Sequence, residues 1–358
     1  MSYIVPIGLA IFCFLFSYIA DRFNKQSCVW LIILALCFVS GFRGASVGID
    51  TNGYLAIFSY IRRGLFQYAY GVEESFKYIC YALLKIIPSE RLLLILLAFV
   101  TNWCIVTRFW ELRKYSSFPC MVLTYYASFY FATMNVARQF CAIALVFYGT
   151  RYLVQKRTFK FVVFVAIATL IHRSAIISLV LLALNCLRWR ELPKYQKRIY
   201  IFCAVFIPVI AIYAQRMLSR YSKYFSSLSL NVGFMVLMKI CFFAATLILI
   251  FAMHPRFAYF RGGQAANVDD RFVMKLTCIS YGMALILAGL GYFYSYVDRI
   301  SWYFYLYEGV YFGMLIKGKK ASNRIILGYV IAALLCYSFF QSMLHNTQGT
   351  MPYTFFWQ

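Results

Sequence analysis

The 358 residues are 63% hydrophobic, 20% aromatic and only 13% charged, with a formal net charge of +24. Soluble domains carry about 25% charged residues, so this chain lacks the polar surface that a water-soluble globule needs. Its basic residues are spread over many short segments between apolar runs, with no single stripe or groove, which excludes a nucleic-acid-binding function.

A spanning helix needs roughly 20 apolar residues, and such stretches recur along the sequence. Residues 1–21 have no basic n-region and no small-residue cleavage pattern, so they are expected to form a first transmembrane helix, not a leader. In chain order the expected spans are 3–20, 28–42, 92–107, 118–132, 136–150, 161–171, 175–187, 199–213, 234–253, 272–292, 300–316 and 325–343. The fold class is therefore all-α, a polytopic integral membrane protein of about twelve transmembrane helices in a single domain, 1–358. Within it, 43–90 is expected to be an extracytoplasmic segment with re-entrant or interfacial helices. Tyr54 to Tyr70 mixes Tyr and Phe with Arg62 and Arg63, and 76–87 is apolar but too short to cross. One long helix over 159–187 would carry His172 near its middle. The basic flanks on both sides favour a hairpin of two half-depth helices instead.

Cytoplasmic loops are enriched in Lys and Arg. Arg22 with Lys25, and the clusters at 108–114, 151–160, 188–198, 256–271 and 317–324, are accordingly placed inside. Both termini then lie outside, and Lys239 and Lys275 are stranded within spans. The 12 cysteines are scattered, and no two form a C-x-x-C pair, so neither a zinc knuckle nor a redox motif is indicated.

Ionisable residues in or near the membrane cost about 2.5–3.5 kcal/mol each on insertion scales and need a reason to be there. Arg43 opens a glycine-rich string, Arg43 to Tyr54, that can approach a ligand with its backbone; a plain connecting turn explains it as well. Arg138 and Gln139 start a helix that descends to the basic cluster at Arg151, and the next helix climbs from Lys160 to His172 and Arg173. Two successive antiparallel helices thus bring Arg138 and His172 to one membrane face. A satisfied histidine beside an arginine snorkelling to headgroups is the bland alternative. Glu73, Glu74, Asp298, Arg299 and His345 fall on the same face. Arginine binds phosphate oxygens bidentately, histidine exchanges a proton near neutral pH, and carboxylates hold sugar hydroxyls. Together they suit a phosphorylated, hydroxyl-rich ligand at the outer leaflet.

The strings Arg43…Val47-Gly48-x-Asp50-Thr51-x-x-Tyr54, Asn135-x-x-Arg138-Gln139-x-x-Ala142 and Ile171-His172-x-Ser174-Ala175, with a late Pro352-Tyr353, resemble the EpsG branch of the Wzy-type polysaccharide polymerases. The match covers roughly the first half of the chain; beyond Cys186 the likeness is mainly one of hydropathy. The resemblance implies a membrane glycosyltransferase of the all-helical, GT-C-like kind in a bacterial inner membrane, with its active site facing the periplasm. Its substrates would be undecaprenyl-diphosphate-linked oligosaccharides as donor and acceptor, and its products O-antigen, capsule or exopolysaccharide. Membrane lipid and a Wzz-type chain-length regulator are the implied partners, with no nucleic acid. On this reading Arg43, Arg138, Arg173 and Arg299 bind the diphosphate. His172 is the first choice of base and Asp50 the second, while Tyr54, Gln139, Glu73, Glu74 and Asp298 bind glycan. The sequence has no Asp-x-Asp pair, so no metal and no cofactor is expected. A lipid-linked oligosaccharide flippase or transporter, or an O-antigen ligase, are the competing functions.

Overall fold

The computed structural model describes residues 3–191, 268–291, 295–317 and 321–358. Among these residues every regular element is helical, and the one β-pairing is an isolated antiparallel bridge between Arg43 and Phe355. The chain divides into two compact units, one of Met1–Tyr148, Phe164–Ile176 and Glu308–Gln358, the other of Gly149–Val163 and Ile177–Tyr307.

Three helices of the described residues are long and apolar enough to cross a membrane: Ile4–Phe23, Glu90–Leu112 and Asp269–Gly289. Gln26–Gly41, Thr158–Ile171, Arg173–Ala183 and Gly328–Leu344 are shorter apolar helices. The expected spans at 199–213 and 234–253, with Lys239, lie outside the described residues. The expected span 300–316 is interrupted at Leu306, giving two helices of 11 residues where one was predicted.

In the first unit, α1 (Ile4–Phe23) packs on α2 (Gln26–Gly41), and α2 on α5 (Glu90–Leu112). Ser89 caps α5, its hydroxyl accepting from the Leu92 N–H at 3.4 Å, and Glu90 suits the positive end of the helix dipole. Between α2 and α5 run α3 (Thr51–Arg62) and α4 (Glu74–Ile86), of 12 and 13 residues. At 1.5 Å per residue these reach only about 20 Å, short of a roughly 30 Å hydrocarbon layer. Each is amphipathic at helical spacing. Tyr54, Phe58 and Ile61 of α3 meet Phe76, Cys80 and Leu84 of α4 in one buried cluster with Leu93, Leu94 and Ala137. That cluster anchors the segment between the spans.

α6 (Phe118–Tyr125) continues as a π-helical turn, Tyr126–Tyr130, into α7 (Ala132–Asn135); α8 (Ala137–Val154) follows after a break at Val136. The π-turn region places three buried tyrosines against three different helices. Tyr125 donates to Asn102 Oδ1 (2.9 Å), Tyr126 to the Pro6 carbonyl (2.7 Å) and Tyr130 to the Leu36 carbonyl (2.7 Å). Interhelical hydrogen bonds of this kind hold helices together where lipid offers no hydrophobic drive.

α9 (Thr158–Ile171) is followed by a 3-10 segment, Arg173–Glu191. The second unit includes α10 (Val268–Gly291) packed on α11 (Ser295–Tyr305), with the rings of Tyr281 and Tyr305 edge to face. α12 (Tyr307–Lys317) and α13 (Ala321–Leu344) close the helical order. Gly309 and Gly313 of α12, spaced four apart, seat against residues 116–124. A Cβ on Gly313 would meet Ser116 Oγ at 2.1 Å and the Ser117 nitrogen at 2.8 Å, so only glycine permits this approach.

α5 also separates two groups of polar residues within the first unit. At its C-terminal end Arg113 donates to Asn24 Oδ1 (2.9 Å), and Lys317 donates to the Arg113 carbonyl. Three of the predicted basic clusters therefore meet at one end. At the other, Arg91 donates to the Arg43 carbonyl at 2.6 Å. The 23 residues between them correspond to about 34 Å of helix.

Candidate functional site

The loop from Arg43 to Asp50, between α2 and α3, is held by one side chain and by the C-terminal tail. Arg43 is 1% exposed. Its Nε donates to Thr51 Oγ1 at 2.9 Å, one Nη to the Met134 carbonyl at 2.7 Å, and the other Nη to the Ser40 carbonyl. The tail lies along the loop through Gly44 N–H to Thr354 O (2.8 Å), Gly48 N–H to Gly349 O (2.8 Å) and Phe356 N–H to Phe42 O (3.0 Å). Gly48 has φ +88°, a conformation that favours glycine, and a Cβ there would come within 2.8 Å of Asn135 Oδ1. Asn135 in turn donates to the backbone carbonyl and side-chain Oε1 of Gln348, both at 2.7 Å. The tail also buries Tyr353, whose hydroxyl donates to the Val39 carbonyl. Two of the motif strings and the Pro352-Tyr353 ending thus form one interlocked support, in which Arg43 is internal.

A second cluster is charged and partly open. Glu73, immediately before α4, receives three donors. Arg138, at the start of α8, pairs with its Oε2; His172 Nδ1 lies 2.7 Å from Oε1; and the Arg173 backbone N–H points at the same oxygen from 3.2 Å. The side chains of Glu73, Arg138 and His172 are 10%, 14% and 26% exposed. Arg138 donates further to the Gly71 carbonyl (2.9 Å) and stands over the Phe76 ring, 5.5 Å from its centre. Its backbone N–H points at the Tyr54 hydroxyl, 3.4 Å away, linking this cluster to the first motif string.

The position of His172 follows from the end of α9. In a continuing helix the Leu170 carbonyl would accept from Ser174. Here it accepts from Ser75 Oγ of α4 at 2.6 Å, and the Arg173 N–H goes to Glu73. The α4 segment therefore claims two backbone groups that the next turn needs, and the helix stops at Ile171. Burial by itself would raise the Glu73 carboxyl. The His172 hydrogen bond and the Arg138 charge outweigh it and hold the group down, from 4.5 to about 2.

The remaining predicted residues divide. Asp50 is exposed at the N-cap of α3, its carbonyl accepting from the Tyr54 N–H at 2.9 Å. Tyr54 is buried beneath Arg138, and Gln139 is 4% exposed. Glu74 points outward to Lys77 at 2.7 Å. Asp298 and Arg299 sit on α11 in the second unit, where the Ser301 hydroxyl donates to the Asp298 carbonyl at 2.5 Å. Glu73, expected to hold sugar, also joins three site residues, a connection that sequence reasoning missed. Gln348 was missed outright, since a glutamine in a polar tail carries no signal.

These features define a class: a membrane protein, helical throughout its described residues, in which a carboxylate, an arginine and an imidazole meet. The model of the EpsG family matches residues 26–355, nearly the whole chain, and the chain belongs to that family. Membership points to a polymerase-type role in polysaccharide assembly. No curated protein and no solved structure matches the chain.

Proposed function

We propose that the protein is a membrane glycosyltransferase that polymerises lipid-linked oligosaccharide repeat units at the periplasmic face of a bacterial inner membrane. The donor is a glycan chain on undecaprenyl diphosphate and the acceptor a sugar hydroxyl on another lipid-linked repeat unit. The product enters O-antigen, capsule or exopolysaccharide. The observation that carries this reading is that Arg138 and His172, far apart in sequence and on different helices, converge on one carboxylate, Glu73.

In this mechanism His172 takes the proton of the acceptor hydroxyl as its oxygen bonds to the donor's anomeric carbon. The bond from that carbon to the diphosphate oxygen breaks, and undecaprenyl diphosphate leaves with the electron pair. Arg138 and Arg173 are assigned to stabilising the charge that develops on the leaving group. The exposed Asp50 is assigned to the glycan, and the buried Tyr54 and Gln139 to the support of the site. Arg43, buried and donating to Thr51, Ser40 and Met134, is assigned to supporting the loop.

The test is a polysaccharide ladder from cells deleted for the gene and complemented with wild type, Arg138→Ala or His172→Ala. A full ladder from wild type, and a single-repeat band from the deletion and both variants at normal expression, is the expected result. Loss of even the single-repeat band in the deletion would point to a flippase or ligase. A full ladder from both variants would end the assignment of these residues.

A further inference from the structure

We infer that Glu73 is the positioning residue of this site: by accepting the Nδ1 hydrogen of His172 it fixes the imidazole in the tautomer that leaves Nε2 bare as the proton acceptor. What the proton comes from rests on the polymerase reading; the tautomer does not.

The two carboxylate oxygens of Glu73 receive the Arg138 guanidinium, the Arg173 N–H and His172 Nδ1. An arginine is always charged, and a backbone N–H can only donate, so the carboxyl among them is ionised and only accepts. The hydrogen between it and the imidazole therefore belongs to Nδ1, and in the neutral ring the lone pair is then on Nε2. Nε2 has no partner among the described residues, and the His172 side chain is 26% exposed. Two further contacts keep the arrangement from turning. Arg138 holds the second carboxylate oxygen, and the Ser75 hydroxyl, two residues along from Glu73, ties α4 to the Leu170 carbonyl at 2.6 Å. When Nε2 takes a proton, the same carboxylate faces the resulting imidazolium and stabilises it, as carboxylates do behind catalytic and metal-bound histidines.

The chain has only three histidines, His172, His254 and His345, so ring-nitrogen NMR of histidine-labelled protein in detergent can be assigned by the signal lost in His172→Gln. The expected wild-type spectrum has a protonated Nδ1 and a bare Nε2 on His172. Glu73→Gln should lose that signature and lower kcat roughly 10²–10⁴-fold with KM little changed. Glu73→Gln leaves the Arg138 charge without its carboxylate. The double variant Glu73→Gln/Arg138→Gln, which removes both charges, therefore provides the same spectroscopic readout should the single variant fail to fold. A wild-type His172 with bare Nδ1, or a folded variant with an unchanged spectrum, would overturn the inference. A wild type with the expected spectrum and no polymerising activity would uphold the tautomer and overturn the proposed reaction.

Discussion

Arg43 and Arg138 look alike in the sequence: each stands beyond an apolar helix in a short motif, and each was expected to bind diphosphate. The structure treats them in opposite ways. Arg43 is enclosed and gives its donors to two neutral carbonyls and a hydroxyl, with the C-terminal tail laid over its loop. Arg138 is partly exposed and meets a carboxylate that also binds a histidine. A buried arginine bonded to neutral oxygens fixes geometry, whereas one sharing a carboxylate with an open imidazole can exchange partners when an anionic ligand arrives. Under the proposed function, the difference between them separates the parts of the molecule that hold the site from those assigned its chemistry.

That separation can be broken by mutation. The largest effect is expected from His172→Ala, which should lower polymer formation about 10²–10⁴-fold by removing the base while the folded yield stays near wild type. Size-exclusion chromatography of equal membrane extracts, read beside the polymer assay, checks both parts. Arg43→Ala comes next and acts on stability. It strips hydrogen bonds from three acceptors in a buried setting, at about 1–3 kcal/mol each, so the protein should fail to accumulate in the membrane. Near-normal accumulation would mean that Arg43 is not a strut.

Smaller effects sharpen the comparison. Gly48→Ala forces a Cβ into the left-handed region and against Asn135 Oδ1, which should cost about 1–3 kcal/mol and lower the thermal midpoint in detergent. The weakest is a pH effect. The Glu73 carboxyl is held below its ordinary 4.5, at about 2, so its contribution to stability is full above about pH 4.5 and is lost as pH falls through 2. Thermal unfolding followed from neutral pH downward should be level to about 4.5 and then decline. Glu73→Gln should flatten that limb.

Much of the frame was legible from hydropathy alone. The expected spans 3–20, 28–42 and 272–292 fall within a few residues of the observed α1, α2 and α10. The meeting of Arg138 and His172 was legible too, because antiparallel helices fix which ends share a face. Burial of Arg43 was not, since an arginine before a glycine reads the same whether it turns into the bundle or out of it. Nor was the role of Glu73, because nothing local to a residue preceding α4 reveals that α8 and α9 arrive at its carboxylate from 65 and 99 residues away. The break at Leu306 has no Gly or Pro to announce it.

The most direct test of the central claim compares Arg43→Lys with Arg138→Lys in purified protein. Polymerisation of lipid-linked repeat units would be measured per folded molecule. Lysine keeps the charge but loses the planar fork. Arg43→Lys should lower the yield of folded protein while each folded molecule still works near the wild-type rate. Arg138→Lys should be obtained in normal amounts and lose about 10²–10³ of its rate. The reverse pattern, with full yield and lost turnover for Arg43→Lys and normal turnover for Arg138→Lys, would contradict the account.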